Sequence, residues 1–68
     1  MTSKILNVEG MSCDHCRMAV TKAVGSLEGV ESVEVSLESN TATVEFEESR
    51  VPLDTIKQAI EAQGYDVV

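Results

Sequence analysis

Cys13 and Cys16, separated by two residues, are the side chains of this chain whose type and spacing can do chemistry. Two thiolates at this spacing can flank one metal ion, but a structural zinc site takes four ligands and His15 is the one further conventional candidate in the motif. A soft ion such as Cu(I) prefers thiolates and tolerates low coordination, so the pair matches a soft monovalent ion better than zinc. Open coordination also lets a thiolate of a second protein attack the ion and take it over. The spacing alone is weak evidence, because thiol oxidoreductases and zinc ribbons share it.

Other side chains near the pair are candidates for supporting roles. His15 offers an imidazole, but beside Cys16 at a helix start we expect it to point sideways or into solvent, where it tunes thiolate charge or a metal-bridged dimer. Met11 offers a thioether, but next to Gly10 it is expected to be an apolar plug that anchors the loop to the core. Met18 is expected to be exposed contact surface and is not counted as a ligand.

Composition and charge exclude several classes of function. The chain has 68 residues, 43% of them hydrophobic and 25% charged, which is typical of one small globular domain spanning residues 1–68. The net charge of −7 argues against nucleic-acid binding. Residues 1–22 carry three basic and two acidic side chains, whereas residues 23–68 carry two and ten, so the cysteines lie in the non-acidic part. No leader pattern and no apolar run near the ~20 residues of a membrane span is present, which predicts a cytoplasmic protein with reduced thiols.

The first half of the chain predicts a strand followed by a helix. Ile5, Leu6 and Val8 form a β-prone run that ends at Gly10. A helix is expected to start near Asp14 or His15 and to stop at Gly29. Its apolar residues recur at helical spacing: Ala19, Val20, Ala23, Val24 and Leu27. The cysteine pair then lies at a helix N-terminus, where unpaired N–H groups lower the pKa of a thiol.

The second half predicts two strands, a helix and a short final strand. Alternating apolar residues mark the two strands: Val33, Val35 and Leu37, then Ala42, Val44 and Phe46. Ser39–Asn40 is interpreted as a two-residue hairpin loop, so these strands are antiparallel. Pro52 fits the first position of the second helix and Gly64 its end, and Tyr65 and Val67 form the last strand. The order βαββαβ predicts a ferredoxin-like α+β sandwich, with both helices on one face of a four-stranded antiparallel sheet.

Several motifs together resemble one family. The segment from Gly10 to Cys16 resembles the G-M-x-C-x-x-C signature of heavy-metal-associated domains, and its C-x-H-C form is similar to that of CopZ-type bacterial copper chaperones. Residues 27–30 match the L-x-G-V link of this family, and Gly64-Tyr65 matches its G-Y pair near the end. The resemblance extends over the whole chain.

The resemblance implies a Cu(I) carrier of the ferredoxin-like fold that docks on the soluble metal-binding domain of a copper-transporting P-type ATPase. It carries over Cys13 and Cys16 as metal ligands, and Tyr65 as a residue beside the loop whose hydroxyl can hydrogen-bond a metal-bound thiolate. Ser12 matches the copper members, because members for divalent zinc or cadmium tend to have an acidic residue there. Pro52 departs from the Ser or Thr cap of many relatives, which concerns the helix start and not the site.

The resulting hypothesis is transport by ligand exchange, with no substrate chemically changed. The surface around Arg17, Met18 and Lys22 is expected to meet the partner, and two chains facing each other are expected to form a copper-bridged homodimer. Three alternatives stay open: a metal-binding domain excised from the ATPase itself, a thiol oxidoreductase, and a carrier of Hg(II). The second lacks the aromatic and proline residues that frame thioredoxin-type sites.

Overall fold

Six elements follow one another along the chain in the computed structural model, which describes all residues from Met1 to Val68. Their order is the predicted strand, helix, strand, strand, helix, strand. The bounds are β1 (Thr2–Glu9), α1 (Asp14–Gly25), β2 (Val30–Ser36), β3 (Thr41–Phe46), α2 (Leu53–Glu61) and β4 (Asp66–Val67). Neither helix combines the length and the apolar character that a membrane crossing requires.

The four strands form one antiparallel sheet in the order β2-β3-β1-β4. β1 lies between β3 and β4, and its register with β3 runs from the pair Thr2–Phe46 to the pair Asn7–Thr41. Beside β4, Glu9 pairs with Asp66, so the end of β1 and the start of β4 lie next to each other. This is the predicted ferredoxin-like topology. It brings the loop after β1 and the residues before β4 to the same end of the molecule.

The core lies between one face of the sheet and both helices. Alternate strand residues point to this face because successive side chains of a strand point to opposite sides. The helices contribute residues four apart in sequence, which lie on one helical face. The fully buried side chains include Val8 of β1, Val44 and Phe46 of β3, Val20 and Val24 of α1, and Ile56 and Ile60 of α2. The other face of the sheet is open, and Ile5 there is 68% exposed.

The end of α1 differs from the prediction. The helix ends at Gly25, with Ser26 as its cap, rather than at Gly29. Gly29 instead has φ +100 in the turn before β2, where a Cβ would stand 2.9 Å from both Arg50 Cβ and Val51 Cγ1. Glycine is needed there because the backbone has positive φ and because two segments approach closely.

Two further details correct the sequence-based expectations. The loop between β2 and β3 has four residues, 37–40, because Ser36 pairs directly with Thr41. The predicted two-residue loop was therefore wrong, although Asn40 does adopt the expected positive φ, at +56. Leu37, which was expected in the strand, lies in this loop, where it is half-buried and packs against the core. Pro52 is the N-cap of α2 and not its first helical residue, since its ψ of 155 is extended.

Candidate metal centre

Met11 anchors the loop that carries the cysteines to the core. β1 ends at Glu9, and Gly10 turns the chain with φ +101. Met11 follows and is only 6% exposed, within the core cluster. Met11 is therefore buried, as the prediction of an apolar plug requires. Because the side chain is directed into the core, the residues that follow are held at the surface.

Cys13 is the N-cap residue of α1 and its backbone, not its side chain, caps the helix. Its φ of −155 and ψ of 173 are extended, and its side chain makes no capping hydrogen bond. Its carbonyl accepts the N–H groups of Cys16 at 3.0 Å and Arg17 at 3.2 Å. The Cys13 sulfur is therefore exposed and free of the helix, while Cys16 is half-buried in the first turn and packs against the core.

The two sulfurs lie close to each other. Cys13 Sγ and Cys16 Sγ are 3.7 Å apart, and both thiols are free. This pairing follows from the spacing, because the N-cap residue and the third residue of the helix lie on the same side of its first turn. The structure thus brings together the two residues that the sequence singled out.

Hydrogen bonding at the helix start favours the thiolate of Cys16. It lowers the pKa of Cys16 to about 6, and the largest cause is the backbone N–H of Ser12, followed by the hydroxyl of Tyr65. Partial burial opposes this change, and smaller contributions from Cys13 assist it. N–H and O–H donors stabilise a negatively charged sulfur, so Cys16 is largely a thiolate at neutral pH.

Tyr65, which precedes β4, lies beside the cysteine loop and against Gly10. It is half-buried and packs against the core cluster. Its interaction with the sulfur of Cys16 raises the pKa of the Tyr65 hydroxyl, with burial and the charges of both cysteines adding to the effect. The Tyr65 hydroxyl thus stabilises the thiolate of Cys16.

The imidazole of His15 is placed away from the core. His15 is exposed in the first turn of α1. No group of three or more His, Cys, Asp or Glu side chains is arranged to hold a metal ion. Asp14, the neighbouring carboxylate, contacts Arg17 Nε at 3.6 Å. The exposure of His15 is compatible with the expectation that its imidazole points sideways or into solvent.

A shallow hollow lies on the exposed side of α1, next to the cysteine loop. Two of the residues that line it, Arg17 and Lys22, are basic, and a third, Met18, is 57% exposed. Six residues line it: His15, Arg17, Met18, Ala19, Thr21 and Lys22. The predicted contact residues therefore share one surface. The exposed thioether and the two cations give this surface both an apolar and a positively charged part.

Two contributions to the site were not apparent from the sequence. The backbone N–H of Ser12 lowers the pKa of Cys16 more than any other group does. The residue type does not reveal such a contribution, because every residue except proline has a backbone N–H. Gly10 lies against Tyr65, and a Cβ added to Gly10 would stand 3.4 Å from Tyr65 Cδ1. The separate motifs Gly10-Met11 and Gly64-Tyr65 were visible in the sequence. Their contact depends on the pairing of β1 with β4.

Comparisons with known proteins agree with this architecture. The model of the heavy-metal-associated domain family matches residues 5–66. A protein named copper chaperone CopZ from Staphylococcus haemolyticus is 55% identical over 67 residues, with 98% of each chain covered. The structure of a CopZ metallochaperone has a TM-score of 0.96 and 49% identity, covering 98% of this chain and all of that one. A copper-binding domain of the P-type ATPase HMA7 has a TM-score of 0.96 and 32% identity, covering 100% of this chain and 92% of that one.

Proposed function

Because the chain belongs to the heavy-metal-associated domain family, we propose that it is a cytoplasmic Cu(I) chaperone that carries the ion between Cys13 and Cys16. In this proposal residues 1–68 act as one heavy-metal-associated domain. The ion is cargo, received and passed on without chemical change, and the protein is not an enzyme.

The single observation that supports the proposal most strongly is the separation of 3.7 Å between Cys13 Sγ and Cys16 Sγ at an exposed helix start. Two metal–thiolate bonds of about 2.3 Å, the length found with zinc, reach across at most about 4.6 Å. One ion can therefore contact both sulfurs. Cys16 supplies a thiolate at neutral pH, and thiolates are the ligands that a soft ion prefers.

Copper is favoured over other soft ions by the relatives. The similar proteins include one named a copper chaperone and a copper-binding domain of an ATPase. The oxidation state Cu(I) follows from the ligand chemistry, since paired thiolates select the soft monovalent form. Tyr65 supports the site by stabilising the thiolate of Cys16, and His15 stands beside the pair as a modulating residue.

For the receiver of the ion we propose the soluble metal-binding domain of a copper-transporting P-type ATPase. The exposed sulfur of Cys13 is the accessible point at which an incoming thiolate can reach the ion. The lining of the hollow on α1 includes both neighbours of Cys16, His15 and Arg17, and its cations Arg17 and Lys22 suit an acidic receiving surface. Exchange of one thiolate at a time then moves the ion without releasing it to water.

Competition against a Cu(I) chelator tests the binding proposal. Wild type is expected to retain one Cu(I), and Cys16→Ser to lose the ion to the chelator because one sulfur cannot hold it. Met18→Ala serves as the control, because Met18 is exposed on α1 and is not a proposed ligand, and its retention should stay close to wild type. Equal retention by wild type and Cys16→Ser would refute the assignment of the ligands. Turnover in an insulin-reduction assay would instead identify a thiol oxidoreductase.

Copper loading is also proposed to join two chains. Two exposed cysteine pairs that face each other can share copper through four thiolates, because the sulfurs lie at the surface of each chain. Sedimentation with and without Cu(I) tests this, and the loaded protein is expected to sediment as a dimer. A mass that stays unchanged on loading would rule out the bridge.

A further inference from the structure

The two arginines of the chain use their guanidinium groups in different ways. Arg50 donates a hydrogen bond from a terminal nitrogen, Nη2, to Glu28 Oε1 at 2.9 Å. Arg17 is instead approached by Asp14 Oδ1 at its inner nitrogen, Nε, at 3.6 Å. None of the side-chain hydrogen bonds within the chain involves a terminal nitrogen of Arg17, and 43% of this side chain is exposed. The outer edge of the Arg17 guanidinium is therefore open to a partner.

The backbone ties Arg17 to the loop that carries the metal ligands. Its N–H donates to the carbonyl of Cys13 at 3.2 Å, and its carbonyl accepts the hydroxyl of Thr21 at 2.8 Å. Arg17 lines the hollow on α1, whereas Asp14 does not. Neither Asp14 nor Arg17 is among the groups that shift the pKa of Cys16. The ion pair thus stands beside the metal ligands without taking part in forming the thiolate.

A guanidinium held at Nε is well suited to bind a carboxylate at its other end. The two terminal nitrogens donate parallel N–H groups that match the two oxygens of one carboxylate. A side chain that is already restrained loses less conformational entropy when it binds. An exposed ion pair contributes little to the stability of the fold, so the effect of this one is expected in partner binding.

We propose that Asp14 is a positioning residue, which holds Arg17 at Nε and so presents its two terminal nitrogens to a single carboxylate of the receiving protein. This inference rests on the proposed transfer of Cu(I) and deepens it. It names the group that the receiver must offer, an Asp or Glu side chain close to its own cysteines, because Arg17 directly follows Cys16. Charge alone predicts the opposite role, since a carboxylate beside the cationic hollow weakens the attraction of an acidic partner.

The first part of the test measures the order of the Arg17 side chain in the metal-free, reduced protein. Nitrogen-15 relaxation of the Nε–H group should show an ordered Arg17 in wild type and a clear loss of order in Asp14→Asn. The signal of Arg50 is the internal reference and should not change. Asp54→Asn is the matched control, because Asp54 is an exposed carboxylate in the first turn of α2 that belongs to no ion pair. Equal order of Arg17 in wild type and Asp14→Asn would overturn the proposal.

The second part measures the rate of Cu(I) transfer to the ATPase domain in about 1 M of a non-coordinating salt, where the Debye length is about 3 Å. Long-range attraction is then screened, and the positioning of Arg17 is left to act. Asp14→Asn should slow transfer roughly 2- to 5-fold, in line with the small energies of exposed ion pairs. Asp54→Asn should stay near wild type. Transfer by Asp14→Asn that is as fast as wild type, or faster, would overturn the proposal.

The third part asks whether Asp14 acts through Arg17. Arg17→Lys keeps the charge but lacks the planar pair of donors, so transfer should slow about tenfold. Asp14→Asn should add no further loss when Arg17 is already Lys, because coupled residues are not additive. Independent losses in the double variant would overturn the proposal. Failure of wild type to pass Cu(I) on would instead contradict the transfer function, while the relaxation measurement would still decide whether Asp14 holds Arg17.

Discussion

Gly10 lies directly against Tyr65, so that a Cβ at Gly10 would stand 3.4 Å from Tyr65 Cδ1 and 3.9 Å from Tyr65 Cα. The first residue of the cysteine loop thus packs against the residue that precedes β4. Tyr65 in turn acts on Cys16. A glycine without a side chain at this point allows the tyrosine ring to lie close to the loop.

Gly10→Ala adds a methyl group in contact with the Tyr65 ring at a residue with positive φ, and the strain at this contact is expected to weaken Cu(I) retention in chelator competition. Gly64→Ala is a matched control, because Gly64 has φ +95, near the +101 of Gly10, yet nothing lies within 4 Å of its Cβ position. Both substitutions should lower the free energy of unfolding by roughly 1–2 kcal/mol, since alanine disfavours positive φ. Only Gly10→Ala should change Cu(I) retention. Equal loss in both variants would show backbone strain to be the cause.

The pH dependence of alkylation tests the state of Cys16. In Cys13→Ser, the reaction of the remaining thiol with iodoacetamide should follow its thiolate fraction. The folded-state pKa lies near 6, below the usual value of about 8.5, so reactivity should persist at neutral pH and fall as the pH drops towards 6. Loss of the small Cys13 contribution places the midpoint of this variant somewhat higher. The same variant unfolded in urea is the control, and a folded midpoint equal to the unfolded one would contradict the assignment.

Tyr65→Phe removes the hydroxyl and keeps the ring. The pKa of Cys16 should rise, because the hydroxyl is the second-largest cause of its lowering. Cu(I) retention against a chelator should fall about tenfold, the lower end of the effect of residues that support metal ligands. The Phe variant retains the packing against the core, so urea unfolding should change little. Unchanged Cu(I) retention would remove Tyr65 from the site.

Reversal of one charge in the hollow tests the docking surface. Lys22→Glu should slow copper transfer to the ATPase domain roughly 3- to 10-fold at low salt, because it reverses the charge of a cation that lines the hollow. Lys4→Glu makes the same change in net charge at an exposed residue of β1 that does not line the hollow, and its transfer rate should stay near wild type. Equal slowing in both variants would mean that net charge alone is responsible.

Substitution of two isoleucines tests the core. Ile56 is fully buried in α2, whereas Ile5 is 68% exposed on the open face of the sheet. Ile56→Val should lower the free energy of unfolding by about 0.5–1.5 kcal/mol, because it removes a methylene from a packed interior. Ile5→Val should change it by less than about 0.5 kcal/mol. Urea unfolding measures both, and a similar loss in the two variants would contradict the assigned faces.

The sequence predicted the arrangement of elements well where side-chain periodicity decides it. Val44 and Phe46 alternate with polar residues and are indeed buried on one face, and Ile56 and Ile60 share one side of α2. Loop details failed where long-range contacts decide them. Gly29 does not end α1 but allows close approach to Val51, a contact that local patterns do not contain.

The sequence predicted which side chains form the candidate site, but not which backbone groups act there. The spacing of Cys13 and Cys16 was sufficient to place their sulfurs together. The path of the loop directs the backbone N–H of Ser12 towards Cys16. Since every residue type except proline has this group, the residue type does not reveal its direction. The position of Tyr65 beside the loop came from family resemblance, because the two lie at opposite ends of the sequence.

The place of Tyr65 also gives the protein an optical probe of its own. The chain contains one tyrosine and no tryptophan, so its ultraviolet fluorescence arises almost wholly from this ring. The emitting group interacts with the Cys16 sulfur, and a change of charge there alters its surroundings. Emission can therefore follow events at the cysteines in real time without any attached dye.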